Sequence, residues 1–268
     1  MKLTKVDLTN KHQGSVELPS QFQETVRTDL IKRAVAALHS RQRQQAGAHP
    51  DAGLRASAKL SRRRRDFKTS YGHGISRVPR KSLNRRGSRF YWVGAVAPGT
   101  VKGRRAHAPK ATRIWEQKIN IIENRKAIRC AIAATVVKEL VLQRGHLVPQ
   151  NYPFAIDGLI ENISKTKEVH ALLAQLGFDK ELERSEQKKI RAGKGKLRGR
   201  RYKRKKGVLI VVSEYCALTK SAANIPGVDV ACVHELNADI LAPGAMPGRA
   251  TLWSGKALDK LKNGKLFM

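Results

Sequence analysis

Between Gly47 and Arg113 the chain runs for 67 residues with 18 Lys and Arg, two acids (Asp51 and Asp66), eight Gly and four Pro. Apolar periodicity is almost lacking there, so the stretch has no face of its own to bury. Loops longer than about 15 residues inside a folded domain are mostly functional or disordered. A second stretch, 188–206, holds 12 Lys and Arg in 19 residues and no acid. Without these two segments, 182 residues remain with 24 bases against 19 acids, and the net charge of +33 falls to +5. The chain therefore reads as a nearly neutral body, 1–46 and 114–268, carrying a long basic loop, 47–113, and a basic segment, 188–206, within the body. A solvated charged face mixes both signs, and these segments do not. One-signed charge at this density opposes compaction unless a polyanion neutralises it, so the expected partner is nucleic acid.

The body has enough apolar residues to pack; the whole chain is 41% hydrophobic. Lys5–Leu18 reads as two short strands around Asn10–Gly14. Ser20 and Gln23 form a capping-box pattern, which predicts a helix from Ser20 with Phe22, Val26, Leu30, Ala34 and Leu38 on one stripe. A second helix is expected from Asn120, with Glu123 reaching back to complete its cap. Its stripe runs Ile128, Ile132, Val136, Leu140, and Gly145 takes the C′ position. Phe154–Ile156 is a candidate strand. Ser164 or Thr166 then caps a helix bearing Val169, Leu172, Leu173 and Leu176, which Gly177 ends.

Glu181–Lys189 has helical character, broken by the glycines that follow. Val208–Val212 is a continuous apolar run, as in a strand buried on both faces of a parallel sheet. A helix at Leu218–Ala223, strands at Val228–Val233 and Thr251–Trp253, and a helix over 255–262 capped by Ser254 complete the alternation. This order predicts an α/β layered domain with a mainly parallel sheet.

No run of about 18 apolar residues predicts a membrane span, and the opening MKLTKVDLTN has no signal-peptide stretch. Cys130, Cys216 and Cys232 are too few and too dispersed for a disulfide framework or a zinc site, and read as reduced thiols. The expectation is a soluble intracellular protein.

Within the long loop, Gly, Arg and aromatic residues are interleaved. Arg62-Arg63-Arg64-Arg65 is a solid cationic block, Phe90-Tyr91-Trp92 an aromatic cluster, and Trp115 stands just beyond the loop. Gly permits close backbone approach to a phosphate, Arg binds phosphate in bidentate fashion, and rings stack on unpaired bases. A DNA-reading helix, zinc finger or basic zipper is not visible. Threads of this kind suit the crevices of a folded RNA and order as they bind, so the loop is expected to be disordered in the isolated chain.

An enzyme is disfavoured. Gly193-x-Gly195 with Gly199 is a defective dinucleotide fingerprint that precedes its strand rather than following one. The eight histidines show no ligand or triad spacing. Glu214, after the apolar strand, is the one carboxylate sited where α/β enzymes often place theirs, and it reads as a structural cap. No cofactor, metal or catalytic residue is expected.

Several motifs then match in order along the chain. They are Gly72-His73-Gly74-Ile75-Ser76-Arg77-Val78-Pro79-Arg80, Gly87-Ser88-Arg89-Phe90-Tyr91-Trp92, and Gly103-Arg104-Arg105-Ala106-His107-Ala108-Pro109-Lys110. Lys118-Ile119-Asn120 with Glu123 and Arg125 follows, leading into Ala127–Thr135. Farther on stand Gly193–Tyr202, Leu241-Ala242-Pro243-Gly244 and Pro247-Gly248-Arg249. Together they resemble the archaeal and eukaryotic form of the large-subunit ribosomal protein four family. Departures are small: Lys102 stands where Gly is expected, Ala108 where Pro is, and Ile121 and Ile122 where Lys residues are.

The resemblance implies a Rossmann-like α/β body on the solvent side of the large ribosomal subunit, with a long extended internal loop threading the large-subunit rRNA. It implies early rRNA binding during assembly and a share in the wall of the polypeptide exit tunnel. The partners implied are rRNA, neighbouring large-subunit proteins and, transiently, the nascent chain, all within cytoplasmic ribosomes; no DNA and no membrane enter.

Expected rRNA contacts are Arg62, Arg63, Arg64, Arg65, His73, Arg77, Arg80, Arg85, Arg86, Arg89, Tyr91, Trp92, Lys102, Arg104, Arg105, His107 and Lys110 in the loop. Lys118, Arg125, Lys194, Lys196, Arg198, Arg200, Arg201 and Lys203 are expected to add to them from the body. The loop tip is placed at Arg77, Val78, Pro79, Arg80, Arg85, Arg86 and Arg89. The competing reading is an RNA-binding assembly or regulatory factor that does not stay in the ribosome.

Overall fold

The computed structural model describes residues 1–66, 69–87 and 89–268; Phe67, Lys68, Ser88 and the side chain of Phe90 lie outside the described part. In chain order the elements begin with β1 (Lys2–Val6), β2 (His12–Glu17), α1 (Thr28–Gln42), β3 (Arg80–Arg86), β4 (Arg89–Gly94), α2 (Ile121–Thr135) and α3 (Lys138–Gln143). Then come β5 (Phe154–Ile156), α4 (Thr166–Gln175), α5 (Asp179–Glu186), β6 (Lys189–Ile190), β7 (Tyr202–Lys203) and β8 (Leu209–Val212). The last are α6 (Ala217–Ala222), β9 (Asp229–Cys232), α7 (Ala238–Leu241), β10 (Thr251–Ser254) and α8 (Gly255–Asn263). Contacts divide the chain into two units, Met1–Gln42 with Glu116–Met268, and Arg43–Trp115.

The larger unit is built on a six-stranded sheet in the order β2-β1-β5-β10-β8-β9. Only β2 is antiparallel, as the outer strand of the β1–β2 hairpin; the other pairings are parallel. Every residue of β5, β8 and β10 is buried, as strands covered on both faces require. Successive side chains of a strand point to opposite faces, and β8 divides accordingly. Leu209 and Val211 join α1, α2, α7 and α8 in one apolar cluster, whereas Val208, Ile210 and Val212 join α4, α5 and α6 in another. The result is a helix–sheet–helix sandwich with the mainly parallel sheet in the middle.

Several local expectations need correction. The hairpin turn is Asp7–Lys11, with Asn10 at φ 62°. Ser20–Gln23 forms a single 3-10 turn, and α1 starts only at Thr28. Tertiary bonds win over the capping pattern here. Glu24 stays extended (ψ 141°) while its carboxylate accepts from Arg129 at 2.9 Å, and the Thr25 carbonyl accepts from the Cys130 thiol. The buried stripe of α1 is Ile31, Ala34, Val35 and Ala37. Asn120 caps α2 through a bond from Ile122 N–H, 3.0 Å, but Glu123 pairs with Arg33 across to α1 instead of closing a capping box.

The stripe expected to run on to Leu140 breaks after Thr135, whose carbonyl accepts the Tyr152 hydroxyl. A shorter α3 follows, and Gly145 (φ 91°) closes that helix. Lys165, not Ser164 or Thr166, occupies the N-cap of α4 and makes no side-chain cap bond. Ser254 precedes α8 but gives its hydroxyl proton to Glu161. Finally, α5 ends at Glu186, three residues before Lys189.

Candidate nucleic-acid interface

The smaller unit, Arg43–Trp115, is a folded-back arm rather than a featureless loop. Its two limbs run side by side: Ala48 N–H donates to the Pro109 carbonyl at 2.8 Å, and Lys59 bridges to Arg80. Glycine is required at two crossings. A Cβ on Gly47 would stand 2.4 Å from the Ala111 nitrogen, and one on Gly53, already at φ +79°, would stand 2.5 Å from Arg104 Cα. Beyond them β3 and β4 pair as an antiparallel hairpin with a bulge at Leu83, so the aromatic cluster lies on a strand. Ser82 faces Trp92 and Asn84 faces Tyr91 in that ladder.

The arm keeps almost nothing dry. Among its described residues only Thr69, Ser70 and Ala95 are buried. On the hairpin, Leu83 is 64% and Tyr91 48% exposed, next to the exposed cations Arg85, Arg86 and Arg89. Arg62, Arg63, Arg64 and Arg65 are all exposed on a short loop closed by Ser61, which donates to Asp66 at 2.6 Å. His73, Arg77, Lys102, Arg104, Arg105, His107 and Lys110 are exposed too, while Trp92 is half-buried.

Arg80 differs from its neighbours. It is half-buried and donates to the Ser76 and Val78 carbonyls, at 2.6 and 3.2 Å, so it holds the turn before β3. Cations lie over rings along the arm: Arg64 and Arg77 over Tyr71, at 5.8 and 4.9 Å, and Arg89 over Tyr91 at 5.3 Å. Such contacts hold a ring and a guanidinium ready in one place. Sequence reasoning passed over Tyr71, although the cations around it were the signal.

In the body, the segment 188–206 is a small cationic ladder. β6 pairs with β7 antiparallel, and a 3-10 turn at Lys194–Leu197 lies between them. Lys194, Lys196, Arg198, Arg200, Arg201 and Lys203 are exposed. Tyr202, half exposed, has Arg201 and Lys188 over its ring at 5.5 and 5.9 Å. Lys118 and Arg125 are exposed as well, and Arg125 also donates to the Met268 carbonyl at 2.9 Å.

A buried ionic network clamps both ends of this segment. Glu181 accepts from His146 Nδ1 at 2.6 Å, from Leu147 N–H at 2.9 Å and from Arg184 at 2.6 and 2.8 Å. Arg184 donates onward to the Lys206 carbonyl. Arg249, almost wholly buried, donates to the Gly207 carbonyl at 3.0 Å and pairs with Asp229 at 2.5 Å, and Lys206 meets the same carboxylate at 2.9 Å.

Burial pushes the His146 pKa down despite the Glu181 carboxylate beside it. Burial opposes charge on Glu181 and Asp229 as well, yet the cations around them hold both carboxyls below the ordinary range. Arg144, buried near Arg249 and Arg184, falls to about 10. A network with all its members bonded fixes the root of a loop that makes few apolar contacts of its own.

Glu214, the carboxylate singled out by sequence, is exposed and pairs with Lys260 at 2.6 Å. The carboxylate at the ends of β8 and β10 is instead Glu161. It accepts from Ser213 N–H, Ser213 Oγ and Ser254 Oγ at 2.8–2.9 Å. Open α/β sheets bind ligands at such strand ends, and here the chain's own donors fill the position. Among the described residues no helix is long and apolar enough to cross a membrane.

Comparison with known proteins gives a single picture. Residues 16–264 match the model of the ribosomal protein L4/L1 family. The chain is similar to the large ribosomal subunit protein uL4 of Nanoarchaeum equitans, 50% identical over 268 residues and the full length of both chains. The uL4 proteins of Archaeoglobus fulgidus and Methanocaldococcus jannaschii are 42% and 40% identical, over 97% and 98% of this chain and 98% of each relative.

Proposed function

The chain belongs to the ribosomal protein L4/L1 family, and from that premise we propose that it is a structural, non-enzymatic constituent of the large ribosomal subunit in the cytoplasm. It binds large-subunit rRNA early in assembly, stands beside other large-subunit proteins, and contributes its arm to the wall of the polypeptide exit tunnel. The observation that carries the mechanism is the exposure of the cations in 43–115 and 188–206 beside a body that is nearly neutral. Phosphates forced together in folded RNA repel one another, and a thin cationic arm reaches between them where a rounded surface cannot.

The cations named above are the proposed contacts, from Arg62 to Lys110 on the arm and from Lys118 to Lys203 on the body. Arg77, Val78, Pro79, Arg80, Arg85, Arg86 and Arg89 lie toward the tunnel, and the exposed Tyr91 and half-buried Trp92 face RNA. Each neutralised phosphate steepens the log–log salt dependence of binding by about 0.7–0.9.

Washing ribosomes at high salt and weighing the proteins left on the large subunit tests this reading. Retention there is the expected result. Appearance of the chain in a free ribonucleoprotein fraction would favour the alternative, an assembly or regulatory factor. For the tunnel role, a cross-linker on Arg85 or Arg86 is expected to capture a stalled nascent chain.

A further inference from the structure

At the neck of the arm a tryptophan is held between two arginines. The Arg43 guanidinium carbon lies 3.7 Å from the Trp115 ring centroid and that of Arg113 lies 4.3 Å from it. Two planar guanidinium groups this near one centroid overlap if they share a face, so they take opposite faces. The chain enters the arm at Arg43 and leaves it at Arg113, and the sandwich staples entry to exit beside the Gly47–Ala111 crossing.

Two features of this staple go beyond a structural tie. Neither Arg43 nor Arg113 forms an ion pair with a carboxylate among the described residues. The two like charges therefore face each other across one ring uncompensated. The Trp115 indole N–H is buried and has no acceptor, a state that costs about 1–3 kcal/mol in a folded protein and that native structures seldom tolerate without a reason. An indole nitrogen donates only, and so does a guanidinium. The cluster thus offers three kinds of donor, two of them charged, and holds no acceptor.

We propose that Arg43, Trp115 and Arg113 form a phosphate site: a single phosphodiester of the large-subunit rRNA docks at the neck, accepting from the indole N–H and from both guanidinium groups. The inference rests on the ribosomal reading above and adds a contact that the charge runs alone did not single out. It also assigns the neck a timing role. The anion relieves the repulsion between the two arginines, so docking there tightens the staple and fixes the direction in which the arm leaves.

The test is binding of the full-length chain to protein-free large-subunit rRNA across about 50–200 mM salt, the range in which counterion release dominates. Arg43→Gln and Arg113→Gln are each expected to lower the slope by about 0.7–0.9. Trp115→Phe keeps the ring and the charges, and is expected to leave the slope unchanged while weakening binding about three- to tenfold at every salt concentration, the loss of one hydrogen bond to a charged group. A staple with no ligand predicts the opposite set: Trp115→Phe behaving as wild type, Trp115→Leu weakened, and both Gln variants with the wild-type slope.

That set of results overturns the proposal. The indole N–H vibration, taken from the difference between wild-type and Trp115→Phe resonance Raman spectra, supplies a readout independent of folding. It is expected to shift to a hydrogen-bonded value on adding the rRNA, and an unshifted band also overturns the proposal. A steep wild-type slope matched by all three variants removes this site alone, whereas a flat wild-type slope removes the rRNA reading beneath it.

Discussion

The body and the arm obey different rules. In the body, all residues of β5, β8 and β10 are buried, and helices cover both faces of the sheet. In the arm, Ala95 is the one apolar side chain buried among the described residues. Ordering a residue costs about 1–2 kcal/mol of backbone entropy, so some 67 arm residues need on the order of 100 kcal/mol of compensation. Apolar burial supplies it in the body. The arm has glycine crossings, one hairpin and cation–ring contacts, and the remainder has to come from a polyanion. A protein of this kind is two problems in one chain, solved by different solvents: its own core for one half, phosphate for the other.

The widest separation between the two regions comes from cutting the arm away. The body brings its cut ends together by itself, since Arg41 pairs with Glu116 at 3.0 Å and Gln117 N–H donates to Ser40 at 2.9 Å. Replacing 43–115 by a short Gly/Ser linker is expected to leave the thermal unfolding of the body intact. Affinity for large-subunit rRNA should fall by about 10³–10⁵-fold at moderate salt, the loss that goes with about 6–10 phosphate contacts. A body that unfolds without the arm would erase the distinction.

The reverse lesion sharpens it from the other side. Trp253 is fully buried, stands edge-on to Phe22 with centroids 5.0 Å apart, and donates to Thr135. Trp253→Ala is expected to cost about 3–5 kcal/mol in urea denaturation, whereas Tyr91→Ala on the hairpin should stay within about 0.5 kcal/mol. Amide exchange of the free chain should follow the same line: fast across 70–110, slow in β5, β8 and β10, with the arm slowing only once rRNA is bound.

A smaller effect concerns acid. The pKa values of His146 and Glu181 are lower in the folded chain than in the unfolded one, so the unfolded state binds more protons as the pH drops. Stability is then full above the unfolded histidine value of about 6.5 and declines as pH falls below it, first through His146 and then through Glu181. Denaturation at pH 7.5 and 5.5 measures the slope, and His146→Gln should flatten its upper part. The arm, with almost nothing buried, contributes no such slope.

How much of this was legible in the sequence follows the same division. The run Val208–Val212 announced a strand buried on both faces, and Asn120 announced the start of α2, because local chemistry and tertiary role agree there. Ser20 and Gln23 misled because contacts from Arg129 and Cys130 hold the next residues extended. The helix through Val136 misled because a tyrosine hydroxyl, 17 residues on, takes the carbonyl it needed. In the arm, charge composition identified the segment but not its shape. The β3–β4 pairing has no apolar alternation to betray it, and Trp115 gains its meaning only when Arg43 and Arg113 arrive on its two faces. Glu161 was hidden for the same reason, since its three donors come from strand ends that lie 52 to 93 residues away in sequence.

The pairing of β1 with β5 also sets an order of events during synthesis. Thr4 lies opposite Phe154 and α1 packs on α2, so the first strand and helix wait for partners made after the arm. At about 5–20 residues per second the delay is roughly 7–30 s. Throughout it the most cationic part of the chain is already outside the ribosome that is making it, attached to a half-built domain. Whatever polyanion is nearby competes for it then, and a newborn copy that meets the wrong one has not yet sealed the fold that would present the arm correctly.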